Sequence, residues 1–139
     1  MSILLPTLIR EITKRTSDVL TRGEITFPQL FILQHLLQKD RCMMRELAEL
    51  LNVTTSAVTG FVDRGIDAGL LKREHATEDR RVIWVSITAK GKKVAREFLD
   101  QRKEIFRHIV EKLEPEERNQ YVQTIEKICR LLKQEKEKP

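Results

Sequence analysis

The stretch Asn52-Val53-Thr54-Thr55-Ser56-Ala57-Val58-Thr59-Gly60-Phe61-Val62-Asp63-Arg64 joins two helices through a turn of about three residues. Asn52 suits the left-handed position that closes a helix. Thr54 is a good N-cap for the next one, with Val53 placed to pack on Val58 as a hydrophobic staple that sets the entry angle. From there Ala57, Val58, Phe61, Val62 and Ile66 share one helical face, while Thr55, Ser56, Thr59, Gly60, Asp63 and Arg64 share the other. The first face demands a core. The second begins with short hydroxyls, so its backbone can be approached closely. Gly69 supplies the glycine that ends such a helix.

Working outward, Arg45 to Leu51 reads as a short helix with Leu47, Ala48, Leu50 and Leu51 inward, although no good N-cap residue precedes it. Upstream, Thr26-Phe27-Pro28-Gln29 opens a helix in which Thr26 and Gln29 form a capping box and Pro28 occupies the tolerated first turn. Its apolar face is Leu30, Leu33, Leu36 and Leu37, followed by a polar stretch from Gln38 to Arg41. A leading helix carries Leu4, Leu5, Leu8, Ile9, Ile12, Val19 and Leu20 and is ended by Arg22-Gly23-Glu24. Downstream, Leu70 to His75 and Val82 to Ile87 have strand character, and Ala76 to Arg81 form a charged hairpin tip. On the second strand Val82, Trp84 and Ser86 face one way and Ile83, Val85 and Ile87 the other. A helix-turn-helix followed by a β-hairpin is the plan of a winged helix. Thr88 then caps a long helix reaching about Leu113, with Val94, Phe98, Ile105 and Ile109 among its apolar positions. Pro115-Glu116-Glu117 opens a last helix with apolar Tyr121, Val122, Ile125, Ile128, Cys129 and Leu132. The charged tail Lys133 to Pro139 is expected to fray.

At 139 residues the chain has the size of one domain, with one hydrophobic core or two small ones sharing a helix. Hydrophobic residues make up 40% and charged residues 34%, which suits a soluble globular protein. No apolar run approaches the roughly 20 residues of a spanning helix. The start lacks a basic n-region and a cleavage site, so the expected location is the cytoplasm, with no membrane partner. Cys42 and Cys129 are too few for a disulfide framework and read as reduced, structural thiols. His35, His75 and His108 make no short metal pattern, and there is no Gly-rich phosphate loop or nucleophile motif, so neither an enzyme nor a metal or other cofactor is expected. The net charge of +5 permits an anionic partner. Residues 40–91, however, carry eight basic and eight acidic groups, so any case for nucleic acid rests on arrangement and not on bulk charge.

Asp79-Arg80-Arg81-Val82-Ile83-Trp84-Val85-Ser86-Ile87-Thr88, with Arg45 to Leu51 and Thr59 to Arg64 before it, resembles the MarR (multiple antibiotic resistance regulator) family of bacterial transcription factors. The resemblance covers nearly the whole chain, and its most specific part is the Asp-x-Arg wing followed by a hydrophobic-Thr pair. Gly65, where the family usually has a bulky apolar residue, and Ile87, in place of a usual leucine, depart from it. The resemblance implies a mainly α fold with a small β-hairpin wing, in a single chain 1–139. A winged helix-turn-helix spans about 26–91, flanked by dimerisation helices at 1–22 and 92–139. It implies a homodimeric repressor on a pseudo-palindromic operator in double-stranded DNA, released by a small aromatic or phenolic effector. The first helix has no cysteine where some members carry a peroxide-sensing thiol. Surplus apolar faces on the terminal helices independently call for a partner, or for each other within a monomer.

A recognition helix needs short polar residues at its N-terminal end to enter the major groove, a need that Thr55, Ser56 and Thr59 meet, with Thr54 and Arg64 as further candidates on the same helix. At the hairpin tip, Arg81 can reach the negative potential of a narrow minor groove, and Arg80 a phosphate. Asp79 is ill suited to face DNA; the resemblance makes it the carboxylate that braces Arg81. Lys90, Lys92, Lys93 and Arg96 crowd the first turns of a helix with no acid among them, against its dipole, and Lys90, Lys92 and Lys93 are candidates for phosphates. The alternative is a winged helix that binds protein and not DNA, which the neutral segment 40–91 favours.

Overall fold

The computed structural model describes residues 4–16 and 25–136. Among them run six helices and three short strands: α1 (Leu4–Thr16), α2 (Phe27–Gln38), β1 (Arg41–Met43), α3 (Met44–Leu51), α4 (Thr55–Asp67), β2 (Leu71–His75), β3 (Ile83–Ile87), α5 (Ala89–Val110) and α6 (Pro115–Lys136). The fold is mainly helical with a small antiparallel sheet, as the sequence predicts. Val19, Leu20 and the expected stop at Arg22-Gly23-Glu24 lie outside the described residues. The chain divides into two units, Met1–Arg102 and Lys103–Pro139, with the boundary inside α5.

Side-chain caps set the helix starts of the first unit. Gln29 Oε1 accepts from the Thr26 amide at 2.9 Å. The Thr26 hydroxyl lies 3.2 Å from the same oxygen, and the capping box that the sequence predicts is present. Before α3 the N-cap position is Met43, and Glu46 reaches back to accept from the Met43 amide at 2.9 Å. Thr54 caps α4 by accepting from the Ala57 amide at 3.2 Å. Asn52 is left-handed at φ 52°, as expected.

The core joins Leu33 and Leu36 of α2, Leu47 of α3, Val58 and Val62 of α4 and Val85 of β3. Ile32 is also fully buried, outside the expected stripe, because α2 is covered on more than one side. Two expected packing positions differ. Leu50 is 44% and Val53 39% exposed, and with Phe27, Phe31, Leu51 and Phe61 they line an apolar groove of about 320 Å³. Val58, the other half of the expected staple, is fully buried.

The sheet order is β1-β3-β2. β2 and β3 form the expected hairpin in the register Leu71↔Ile87 to His75↔Ile83. Residues 41–43, which the sequence places at the end of a polar connection, instead form a third strand, pairing Cys42 with Val85. Three residues show no readable period; the free edge of β3 supplies the hydrogen bonds that make them a strand. Cys42 is thereby fully buried in the core, and burial pushes its thiol up to about 11, with the Glu46 carboxylate adding to the shift. Arg41, on the outer side, stacks over Trp84 at 4.5 Å.

α4 ends in a Schellman turn: the Gly69 amide donates to Ile66 O and the Leu70 amide to Gly65 O, both at 2.9 Å, with Gly69 at φ +74°. Gly65 is buried because Leu71 occupies its face; a Cβ there would meet Leu71 Cδ1 at 2.6 Å. Thr88 caps α5 by accepting from the Gly91 amide at 3.0 Å.

In the second unit α5 stops at Val110, short of the expected Leu113, and a turn follows in which Arg118 donates to Leu113 O at 2.8 Å and to Glu111 O at 2.7 Å. Glu117 accepts from the Glu114 amide at 2.8 Å, starting α6. That helix continues to Lys136, past the point where the sequence predicts fraying. Tyr121, Val122, Ile125 and Ile128 are exposed along it, as is Cys129.

Gly91 marks the close approach of α5 to the chain leaving α4. A Cβ at Gly91 would run into the Leu70 carbonyl and come within 2.8 Å of Ile87 Cγ1. That carbonyl accepts from the Thr88 amide at 3.0 Å and cannot yield freely. Gly91→Ala gains about 1 kcal/mol of helix propensity, which the clash outweighs, leaving an expected net loss of about 1–3 kcal/mol in thermal unfolding. An unchanged or raised Tm would show that this approach relaxes at no cost.

Candidate nucleic-acid interface

α4 presents Thr55 and Ser56 exposed in its first turn, just past the Thr54 cap. Thr59, one turn on, is half-buried and donates its hydroxyl proton to Thr55 O at 2.9 Å, so its free lone pairs offer acceptance. Arg64 does not extend freely: its guanidinium lies over the Phe61 ring at 5.3 Å. Asp63, on the outward face as expected, pairs with Arg73 of β2 at 2.6 Å and ties the helix to the hairpin.

The hairpin tip is an ordered turn. The Val82 amide donates to Asp79 O at 3.0 Å and the Ala76 amide to Val82 O at 2.9 Å. His75 Nδ1 lies 3.0 Å from Arg80 O, a contact that requires the proton on Nδ1. Asp79 Oδ1 accepts from the Arg81 amide at 3.0 Å and from Arg81 Nε at 3.1 Å. One carboxylate oxygen thus holds both the backbone and the side chain of Arg81, whose side chain is still 91% exposed. Arg80 is exposed beside it.

Between α4 and the hairpin lies a concavity of about 410 Å³, with Thr55, Thr59, Arg45, Arg73 and Arg81 around it and Met43, Met44, Val82 and Ile83 completing its lining. The fold thus brings Thr55, Thr59 and Arg81 to one face. Arg45 and Arg73 join them and escape sequence reasoning, because neither lies in the recognition helix or the tip and no spacing links them to it. Four of the local acids are matched: Glu46 to Lys39 at 2.9 Å, Glu49 to Arg45 at 3.2 Å, Asp63 to Arg73 and Asp79 to Arg81. Among the α5 lysines, Lys90 and Lys93 are exposed and Lys92 half-buried. Lys90 differs, since its ammonium donates to Ala68 O at 2.8 Å. Among the described residues no group of three or more His, Cys, Asp or Glu could hold a metal ion, and no helix is long and apolar enough to cross a membrane.

The Arg81 amide, and secondarily its guanidinium, hold the Asp79 carboxyl below its ordinary value of 3.8. The ionised, bracing form is therefore fully present above that ordinary value and is lost as pH falls through the lowered one. Carbon-detected NMR titration is expected to find Asp79 below the usual range. In Arg81→Ala it should move only part of the way back, because the residue 81 amide still donates. An Asp79 that titrates identically in both would show that the side-chain pair does not form.

The MarR family model matches residues 25–83. The HTH-type transcriptional repressor MdtR of Bacillus subtilis is 33% identical over 117 residues, covering 84% of this chain and 76% of its own. The crystal structure of YusO from Bacillus subtilis matches with a TM-score of 0.79 at 32% identity, covering 93% of this chain and 92% of that one. A mutant MepR of S. aureus, solved bound to an oligodeoxyribonucleotide, matches at 0.69 and 23% identity over 94% of this chain and 96% of its own, a likeness of fold. In sequence and in fold the chain belongs to the MarR family, transcriptional regulators that bind DNA through a helix-turn-helix.

Proposed function

We propose that the chain is a cytoplasmic repressor that binds a pseudo-palindromic operator as a homodimer and is released by a small aromatic or phenolic effector. The observation that carries this reading is the single face formed by the first turn of α4 and the tip that Asp79 holds in place. In it Thr55, Ser56 and Thr59 enter the major groove, with Thr54 and Arg64 at its margins, and Arg81 enters the adjacent minor groove. Arg80, Lys92 and Lys93 meet phosphates. Lys90 leaves that set because its ammonium is held by Ala68 O. The homodimer is supported by the exposed Leu4, Leu5, Leu8 and Ile9 of α1 and the exposed apolar row of α6, which suit the assignment of 1–22 and 92–139 to dimerisation. Repression is supported by the name of MdtR.

One observation favours a second reading. The apolar groove with exposed Phe27, Phe31, Leu50 and Val53 would suit a protein partner on a winged helix that does not touch DNA.

The test is binding to DNA flanking the chain's own gene at several salt concentrations. A dimer by sedimentation and half-sites about one helical turn, 10 to 10.5 base pairs, apart are expected. Thr59→Glu should abolish most operator affinity through steric and charge conflict while barely changing the melting temperature. Arg81→Ala is expected to lower affinity roughly 5- to 150-fold and to flatten the salt dependence by about one unit of slope for each guanidinium withdrawn from the DNA. Asp79→Ala should give a smaller reduction of the same kind. Wild-type affinity in both Thr59→Glu and Arg81→Ala would place this face away from DNA, and a parent chain that binds no operator would move the reading to protein binding.

A further inference from the structure

The carbonyls of Ala68, Gly69 and Leu70 follow the end of α4, where a helix runs out of its own amide donors. Each is taken by the stretch that opens α5. Lys90 Nζ donates to Ala68 O at 2.8 Å, the Thr88 hydroxyl to Gly69 O at 2.7 Å, and the Thr88 amide to Leu70 O at 3.0 Å. One glycine permits this approach: Gly91 has no Cβ to strike Leu70 O, while the stem of Lys90 passes Gly69 at ordinary van der Waals distance.

Charge favours the same arrangement. Lys90 is a cation in the first turn of α5, the positive end of that helix, where a cation is unfavourable. Its ammonium, however, lies at the negative end of α4, where the same charge is favourable. The cation that conflicts with its own helix is thus matched to the neighbouring one.

We propose that Thr88 and Lys90 form a clasp on the C-terminal carbonyls of α4, making Lys90 a positioning residue that sets operator affinity without touching DNA. The clasp fixes where α4 ends relative to the start of β2, and so how the recognition helix stands beside the wing. The consequence for affinity rests on the reading of α4 as the helix that enters the major groove.

The test compares Lys90→Met, which keeps the stem and removes the charged donor, with Lys90→Arg, which keeps a cation that reaches the same carbonyl. Amide hydrogen exchange of Ala68, Gly69 and Leu70 is followed without DNA, and operator affinity is measured across a salt series. Lys90→Met is expected to speed exchange at those amides and to weaken operator binding about fivefold, the scale of removing a cation from a helix C-terminus. The salt slope should match that of the parent chain, and Lys90→Arg should restore both readouts. A slope reduced by about one unit per subunit would make Lys90 a phosphate contact and overturn the clasp. So would unchanged exchange, or faster exchange with unchanged affinity. If the parent chain binds no operator, the functional reading fails by itself. Exchange then decides the clasp: parent-like rates in Lys90→Met overturn it, and faster rates reversed by Lys90→Arg support it.

Discussion

The turn at Gly69 is the constraint on which the binding unit depends. At φ +74° it lets the chain leave α4 and enter β2 within a few residues, with its amide and that of Leu70 closing the helix behind it. From that point the hairpin register follows, with Leu71 opposite Ile87, and the register in turn decides that Arg81 stands at the tip on the side of Thr55 and Thr59. A residue with a Cβ would strain this backbone, and the displaced strand would carry the wing with it. Two further glycines serve the same junction by leaving room: Gly65 for the side chain of Leu71 and Gly91 for the carbonyl of Leu70.

Electrostatics on this face work by local pairing. The segment 40–91 is neutral in bulk, and several of its acids are each held by a cation. Asp63 is held by Arg73 at 2.6 Å, Glu49 by Arg45 and Asp79 by Arg81. Surface pairs of this kind contribute little to stability, roughly 0–1 kcal/mol each. Their value is geometric: the Asp63 pair ties α4 to β2, and the Asp79 pair limits where an exposed guanidinium can point.

The apolar surface falls into two kinds. Along α1 and α6 it forms rows of aliphatic residues, which are expected of helices that pack against a partner. On the winged helix it forms a groove with Phe27 and Phe31 at its edge, a patch that the core does not need. The groove is lined by Leu50, inward by periodicity, and Val53, expected as a staple, both of which are exposed, whereas Leu47 and Ala48 of α3 are buried.

Features that depend on neighbours along the chain were legible in the amino-acid order. The Thr54 and Thr88 caps, the left-handed Asn52, the C-terminal Gly69, the proline start of α6 and the period-2 run of β3 are local signals, and each stands where its residues predict it. The bracing of Arg81 by Asp79 came from the resemblance carried by the motif from Asp79 to Thr88, and the structure forms that pair. Features that join residues far apart came only with the packed chain. Folding made a strand of Arg41–Met43 by offering it the edge of β3, and it brought Arg45 and Arg73 to the face shared by Thr59 and Arg81. It also turned the Lys90 ammonium onto Ala68, 22 positions away. Capping and periodicity act over a few residues through bonds that the backbone makes with itself, whereas these contacts exist only once the core has closed the distance between separate elements.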